Sequence, residues 1–244
     1  PLFEASEKNF DILPVYIHEP DYWKLDDSSQ RHWAIISKAL IDLNSYLKKL
    51  GQELYFQSGD MLEKLSELYK VFSFEEVFAH EETGNLWTFN RDKKLRAFFK
   101  ERKITFNEYP QFAVLRPLKD RDKYSKLSRP LTHRELYKTP QKLRHVLQTS
   151  PNSLLKNLAA QEEPYLKISR EAAASHLKFF LEERSRNYFG GISSPVKAEQ
   201  FSSKLSVYIS YGLLSMSEIF FFLDRHYERL KSSDEPKKLI LDAK

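Results

Sequence analysis

The chain has 244 residues, with 39 Lys and Arg against 34 Asp and Glu, and 41% of its residues are hydrophobic. This composition excludes a disordered chain, a collagen-like repeat and a low-complexity linker protein. Cysteine is absent, which excludes disulfides, thiolate metal sites and cysteine nucleophiles, and favours a reducing compartment. No apolar stretch approaches the roughly 20 residues of a membrane helix, and no secretion signal opens the chain. We therefore expect a soluble, cytoplasmic, monomeric protein.

Apolar periodicity over residues 1–109 predicts an alternation of helices and strands. The predicted helices cover residues 1–9, 29–50, 61–72 and 87–102, and the predicted strands cover residues 12–17, 54–57, 76–79 and 104–108. Ser28 or Ser29 would cap the second helix, Gly51 would close it in a left-handed conformation, and Asp60 would cap the third. This order predicts an α/β fold with a parallel sheet and right-handed crossovers.

Both ends of the chain are typical of a fragment. A helix that leads into a strand normally follows another strand, and no such strand precedes the helix over residues 1–9. After Lys231 the sequence becomes a linker-like run without an apolar pattern of its own. We therefore expect a piece of a longer protein.

The pattern changes at Pro110. Residues 116–145 contain ten Lys and Arg and three Asp and Glu, a net charge of +7. No strong periodicity is visible, so we interpret residues 110–166 as an interdomain connector between domains at 1–109 and 167–244. Its charge would either attract phosphate backbones or belong to a solvated loop. From Arg170 onward the pattern is helical only, with helices predicted over residues 171–188, 203–211 and 216–230.

Most signatures of chemistry are missing from the sequence. The seven His lack metal-ligand spacing, and there is no Gly-rich phosphate loop and no GxSxG elbow. The run His80-Glu81-Glu82-Thr83-Gly84-Asn85 follows a predicted strand, where ligands of parallel sheets usually bind. Thr83 and Asn85 would alternatively only cap the helix that starts near Leu86.

A serine-rich segment over residues 201–215, FSSKLSVYISYGLLS, is more informative. Ser202, Ser203 and Ser206 lie beside Lys204 at the start of a predicted apolar helix. Hydroxyls, backbone N–H groups and the positive end of a helix dipole together form an anion site. The alternative is ordinary N-capping, for which one serine is enough.

Five segments carry a resemblance to the cryptochrome/DNA photolyase family. They are QRHWAIISKALIDLNSYL (30–47), HEETGNLWTFNRD (80–92) with FAVLRPLKDRDKY (112–124), ISSP (192–195) and SSKLSVYISYGLLS (202–215). The last segment resembles the family pattern TSRLSPYLAFGxLS, with Lys204 in place of arginine and Val207 in place of proline. The second and third segments resemble a bacterial branch of the family.

The resemblance implies a Rossmann-like N-terminal domain, a linker, and the first helices of an all-α domain that binds FAD. The opening strand and the flavin-ring pocket of the family would lie outside this chain. Trp87 and Thr88 occupy the position of the usual folate-binding Asn-Glu pair, so the antenna pigment stays open. The residues that would contact the FAD phosphates by this resemblance are Tyr188, Ser202, Ser203, Lys204, Leu205 and Ser206.

The implied function is that of a deoxyribodipyrimidine photolyase, a lyase that repairs ultraviolet-damaged DNA with light and reduced FAD. A cryptochrome photoreceptor without repair activity is the second hypothesis, and a nucleotide- or partner-binding α/β module without light chemistry is the third. We expect the 244-residue piece alone to be inactive and to bind FAD weakly or not at all.

Overall fold

The computed structural model describes residues 1–8, 10–115, 118–146, 158 and 164–232. The described residues form two compact units. One contains those within Pro1–Gln111 and Tyr137–Tyr165, and the other contains those within Phe112–Leu136 and Leu166–Lys244. Residues of the predicted connector therefore contribute to both units. In the described part of the chain, no helix has the length and apolar character needed to span a bilayer.

The first unit is α/β. Its strands are β1 Asp11–Ile12, β2 Val15–His18, β3 Tyr55–Ser58, β4 Glu76–His80, β5 Thr105–Tyr109 and β6 Arg144–His145. Its helices are α1 Leu2–Glu7, α2 Gln30–Lys49, α3 Met61–Phe72 and α4 Leu86–Glu101. The strands pair as β1–β6, β2–β3 and β4–β5, and each pair is parallel. The predicted α/β class and parallel orientation are confirmed.

The single strand predicted over residues 12–17 is wrong. The segment contains two strands, β1 and β2, separated by Leu13 and Pro14. Proline has no N–H to donate to a strand ladder, but the carbonyl of Pro14 accepts a hydrogen bond from the N–H of Tyr55 at 2.7 Å. The chain therefore changes its partner strand at Pro14, from β6 to β3.

The predicted ends of α2 and α3 are confirmed in detail. The hydroxyl of Ser29 accepts from the N–H of His32 at the start of α2, and Asp60 accepts from the N–H of Glu63 at the start of α3. Gly51 has φ +85°, and its N–H and that of Gln52 close back on the last turn of α2. This is a Schellman motif, in which a left-handed residue satisfies free helix carbonyls.

Two buried clusters stabilise the α/β unit. The larger joins α2 to β3 and includes side chains from residues 143 and 158, and the smaller joins α4 to the start of β5. The members are Trp33, Leu40, Leu47, Leu54, Phe56, Leu143 and Leu158 in the first cluster, and Leu95, Phe98, Phe99 and Ile104 in the second. These apolar side chains account for the periodicity in the first half of the sequence.

The second unit is helical. Its helices are α5 Tyr124–Thr132, α6 Arg170–Glu182, α7 Tyr188–Gly191, α8 Ala198–Phe201, α9 Ser206–Ser210 and α10 Met216–Lys231. Short 3-10 turns cover Arg121–Lys123 and Arg184–Asn187. The expectation that residues 110–166 lack regular structure is wrong for α5 and β6. The predicted linker-like tail lies, from residue 233 on, outside the described residues.

Two predicted helices of this unit are shorter than expected. The helix predicted over residues 171–188 ends at Glu182, and the 3-10 turn Arg184–Asn187 follows it. The helix predicted over residues 203–211 has only five residues, Ser206–Ser210. Gly212 (φ +73°) ends it, and the N–H groups of Gly212 and Leu213 bond to the carbonyls of Ile209 and Tyr208. A second Schellman motif thus limits the helix.

Candidate functional site

The serine-rich segment forms a loop between α8 and α9. Ser202 is extended (φ −66°, ψ 152°), whereas Lys204 has φ +52°, a left-handed conformation that few non-glycine residues adopt. Leu205 follows with only 5% of its surface exposed, and Ser206 is exposed at the first position of α9. The loop therefore has one buried anchor, Leu205, between hydroxyls that are accessible in whole or in part.

The three hydroxyls do not cap α9. Leu205 occupies the N-cap position, where no side chain accepts a hydrogen bond from the helix. The hydroxyl of Ser203 accepts from the N–H of Leu205 at 3.5 Å. The hydroxyls of Ser202 and Ser206 form no hydrogen bond within the described part of the chain. The capping alternative is wrong, because the helix begins three residues later than predicted.

Tyr208 fixes the other side of this loop. It is 2% exposed, and its carbonyl accepts from the N–H groups of Leu213 at 2.8 Å and Leu214 at 3.1 Å. Its hydroxyl donates to the carbonyl of Lys167 at 3.2 Å. Because both the ring and the backbone of Tyr208 form these contacts, Tyr208 holds the residues that follow the serine loop in one position.

Cations surround the serine loop. Arg184 donates to the carbonyl of Ser202 at 3.4 Å, and its guanidinium lies 5.2 Å from the ring of Phe179. The ammonium of Lys204 lies 3.5 Å from the carboxylate of Glu199, a side chain that is 85% exposed. Such an exposed pair contributes little attraction. The positive charges at the loop are therefore only weakly neutralised.

His176, on α6, belongs to the same cluster. Its Nε2 is buried and has no hydrogen-bond partner among the described residues, and its ring lies 5.5 Å from that of Tyr208. Burial lowers the pKa of His176, and the charges of Arg184 and Lys204 lower it further, while the carbonyl of Ser203 acts in the opposite direction. An anion beside these groups would oppose the effect of the two cations.

Sequence reasoning missed His176 and Arg184. They are 26 and 18 residues before Ser202, and only the packing of α6 and the following turn against the serine loop brings them close. Tyr188, the sixth predicted contact, is 38% exposed and packs edge-to-face on Phe180 with ring centroids 5.6 Å apart. In the described residues it forms no hydrogen bond with the serine loop.

The polar groups of the loop after β4 bond to one another and to neighbouring residues of the α/β unit. Asn85 caps α4 by accepting from the N–H of Thr88 at 3.1 Å, and its amide donates to Asp27 at 2.8 Å. Glu82 accepts from the N–H of Gly84 at 2.7 Å and pairs with Arg91 at 3.2 Å. Capping by Asn85 is confirmed, and these contacts leave less of the loop free for a ligand.

Arg91 connects this loop to buried carboxylates. It lies 2.8 Å from Glu19, which is 7% exposed, and 2.9 Å from Asp92. Burial raises the pKa of Glu19 and of Asp92 above their ordinary values, and the guanidinium of Arg91 opposes that effect. This arrangement is a buried charge network whose members depend on one another, because removing one charge would leave another buried without a partner.

The chain has an α/β unit followed by a helical unit, and its serine loop carries the hydroxyls and cations of a protein that binds an anionic ligand. Sequence comparison identifies the family. The family model for DNA photolyase matches residues 1–154, more than half of the chain. The chain belongs to the DNA photolyase family. The cryptochrome DASH, chloroplastic/mitochondrial, of Arabidopsis thaliana is 32% identical over 88 residues, which are 34% of this chain and 16% of that protein.

Solved structures show the same fold. A bacterial class III photolyase from Agrobacterium tumefaciens superposes with a TM-score of 0.75 at 18% identity, over 98% of this chain and 52% of that one. A cryptochrome from Synechocystis sp. PCC6803 gives 0.70 at 17% identity, over 100% and 56%. An archaeal photolyase from Sulfolobus tokodaii with two FAD molecules gives 0.60 at 20% identity, over 98% and 53%. The chain thus spans about half the length of these proteins.

Proposed function

We propose that this chain is part of a blue-light-driven deoxyribodipyrimidine photolyase and that its serine loop holds the phosphates of FAD. Membership of the photolyase family supports the activity class. The observation that carries the assignment of the loop is the group of cations around hydroxyls that do not cap a helix. Hydroxyls and cations are the donors that a diphosphate accepts from.

The donor set fits a diphosphate group. Ser202 and Ser206 offer hydroxyls that are free of hydrogen bonds within the described residues, and Lys204 offers an ammonium. The buried Nε2 of His176, which has no partner among those residues, would gain one. Leu205 is buried, and its N–H and carbonyl bond to Ser203 and Ile209, so we expect it to contribute by holding the shape of the loop. Ser203 and Tyr188 complete the proposed contacts.

These residues would bind and orient the cofactor and would not take part in the bond-breaking chemistry. Bound there in its reduced form and excited by blue light, FAD would supply an electron to a pyrimidine dimer, and the electron would return to the flavin after the dimer splits. The contribution of this chain would be to fix the position of the cofactor against the lesion. Enzymes that act on a base take it out of the helical stack, so the lesion would be flipped toward the flavin.

The test of the activity is repair by the flavin-loaded, full-length protein. An oligonucleotide with a single cyclobutane dimer is incubated under blue light or in darkness, and restored bases are counted by chromatography. We expect repair in the light only. A flavin-loaded protein that leaves the dimer intact in the light would contradict the proposal.

A cryptochrome photoreceptor is the second candidate, because a cryptochrome DASH and a Synechocystis cryptochrome are among the similar proteins. The same preparation separates the two functions. Flavin photoreduction and light-dependent partner binding without loss of dimers would favour the photoreceptor, whereas loss of dimers would favour the lyase.

The 244-residue chain alone is proposed to bind FAD weakly. The serine loop offers phosphate contacts, and the flavin-ring pocket of the family was expected outside this chain. We expect the purified chain to lack the blue absorption band of a flavin. A yellow preparation with one flavin per chain would contradict this expectation.

A further inference from the structure

His176 lies on α6 beside the serine loop. Its ring centroid is 5.5 Å from that of Tyr208, which is 2% exposed on α9. Ala173 and Leu177, also on α6, are buried, with 0% and 3% of their surfaces exposed. The imidazole is therefore held where α6 meets α9, within reach of the charges of the loop.

The packing of this ring does not explain why the residue is a histidine. A neutral imidazole has one nitrogen that donates and one that accepts a hydrogen bond, and a buried polar atom without a partner destabilises a fold. The Nε2 of His176 is buried and bonds to no residue that the structure describes. An apolar side chain would fill the same space without that cost. The unpaired nitrogen therefore indicates a role outside folding.

The charged groups that face His176 oppose its protonation. Burial lowers the pKa of His176 below the ordinary 6.5, and Arg184, from the turn after α6, and Lys204, from the serine loop, lower it further. The carbonyl of Ser203 acts in the opposite direction. The carboxylate that pairs with Lys204, that of Glu199, is 85% exposed, so water screens its charge. An additional anion at the loop would favour the protonated form of His176.

We propose that His176 binds the diphosphate of FAD as an imidazolium and that the protein takes up a proton from water when the cofactor binds. This inference rests on the proposed function, because it requires that the serine loop hold the FAD phosphates. In the imidazolium both ring nitrogens donate, so Nε2 would gain a phosphate oxygen as its acceptor. A charged donor bonds to phosphate more strongly than a neutral one.

Proton linkage gives the direction of the resulting pH dependence. The diphosphate diester of FAD is fully ionised near neutral pH, so its own charge does not change there. Without the cofactor the pKa of His176 lies below the ordinary 6.5, and the phosphates would raise it in the complex. Between the two pKa values the complex holds a proton that the free protein lacks. The affinity for FAD therefore increases as pH falls through this interval, by at most about tenfold for each pH unit, because one proton is involved.

Calorimetry counts the protons that are taken up. The flavin-free, full-length protein is titrated with FAD in darkness at pH values on both sides of 6.5, in two buffers that differ in ionisation enthalpy. The difference between the two heats gives the number of protons per FAD. We expect an uptake of about half a proton or more at its maximum, and none in alkaline buffer. Binding of FAD without proton uptake at any of these pH values would overturn the proposal.

The variant H176Q assigns the protons to this residue. Glutamine keeps a polar side chain that does not titrate, so we expect the proton uptake to disappear and the Kd for FAD to become independent of pH. The circular dichroism spectrum verifies that the variant is folded. H176N serves the same purpose if H176Q does not fold.

The matched control is H226Q, which replaces another buried histidine of the helical unit. The charged groups that act on His226 are Arg229, Glu182 and Arg186, none of which belongs to the serine loop. We expect H226Q to take up as many protons as the unmodified protein. Unchanged uptake in H176Q, or loss of uptake in H226Q alone, would overturn the proposal.

This experiment uses neither light nor DNA. If FAD binds and Lys204→Ala weakens its binding, but H176Q leaves the proton uptake unchanged, the role of His176 alone is overturned. If H176Q abolishes the uptake in a protein that repairs no dimers, the proposed enzymatic function alone is overturned. A full-length protein that does not bind FAD would overturn both.

Discussion

The charges around Arg91 in the α/β unit and the charges at the serine loop in the helical unit are compensated to different extents. In the first, Arg91 pairs with Glu19 and Asp92, and it also reaches the loop after β4. In the second, the charges of Lys204 and Arg184 lower the pKa of His176, and the carboxylate that pairs with Lys204, that of Glu199, is exposed. Removal of one partner from a buried charge network is costly, whereas clustered cations favour an anionic ligand.

This difference distinguishes a loop whose polar groups support the fold from a loop whose polar groups are available to a ligand. The loop after β4 lies where ligands of parallel sheets usually bind, yet its caps and ion pairs satisfy it from within. The serine loop lies on short helices, and its hydroxyls do not cap the helix they adjoin. The helical unit is therefore the better candidate for a phosphate ligand.

The largest expected effect comes from opening the compensated network. Arg91→Met would leave Glu19 and Asp92 buried without a cation, so we expect it to lower the free energy of unfolding by about 3 to 5 kcal/mol. Urea unfolding followed by tryptophan fluorescence measures this loss, because Trp23, Trp33 and Trp87 all lie in the α/β unit.

The control for that variant is Arg96→Met. Arg96 pairs with Glu108 at the surface, where an ion pair contributes about 0.2 to 1 kcal/mol. If both variants lost the same free energy of unfolding, the view of Arg91 as the centre of a buried network would be contradicted.

The second prediction concerns mild acid. Burial, followed by neighbouring cations, lowers the pKa of His176 and of His226 below the ordinary 6.5. Below that pH the unfolded chain binds protons that the folded helical unit does not, so the free energy of unfolding of this unit falls as pH decreases. Far-ultraviolet circular dichroism reports the helices of both units, whereas tryptophan fluorescence reports the α/β unit alone. Urea unfolding followed by both signals, at pH values on both sides of 6.5, therefore separates the fall of the helical unit from the response of the α/β unit.

The carboxyls of the α/β unit act in the opposite direction. The raised pKa values of Glu19 and Asp92 let the folded unit bind protons before the unfolded chain does, which stabilises it on acidification. The lowered pKa of His18 partly opposes this gain. We expect His226→Gln to reduce the acid sensitivity of the circular dichroism transition and to leave that of the tryptophan transition unchanged. The reverse result would contradict the assignment.

The smallest effects come from two glycines. Gly51→Ala would place a side chain at φ +85°, and we expect it to lower the free energy of unfolding by about 1 to 2 kcal/mol. Gly190, in α7, has nothing within 4 Å of an added Cβ. Gly190→Ala should be neutral or raise the free energy of unfolding by up to about 1 kcal/mol. Chemical denaturation of the two variants tests the contrast.

The two units also differ in how far sequence predicts them. In the α/β unit the predicted α3 and the caps of α2 and α3 are confirmed, because long apolar periods and local capping residues determine them. The exception is the segment around Pro14, where the apolar pattern predicts one strand and the structure contains two short ones. Pairing with β6 depends on a segment more than 130 residues away, which local pattern does not reveal.

In the helical unit, the sequence pattern predicted where the serine loop lies but not its backbone conformation. The left-handed Lys204 and the late start of α9 depend on the burial of Leu205 and Tyr208. His176 and Arg184 approach the loop only in the folded chain, so residue spacing provided no signal for them. Helix α5 was missed because Pro130 lies within it and its buried positions are the polar Ser128 and Thr132, which is not the pattern of a helix that faces an apolar core.

Flavin retention tests the central assignment most directly. The full-length protein, loaded with FAD, is compared with its Lys204→Ala and Lys204→Arg variants and with Lys197→Ala, which removes an exposed lysine of the same unit. Loss of a charge-assisted hydrogen bond costs about 1.5 to 3 kcal/mol, so Lys204→Ala should raise the Kd for FAD about tenfold or more. Lys204→Arg and Lys197→Ala should retain FAD. Equal retention of FAD by all four proteins would contradict the assignment of the serine loop to the phosphates.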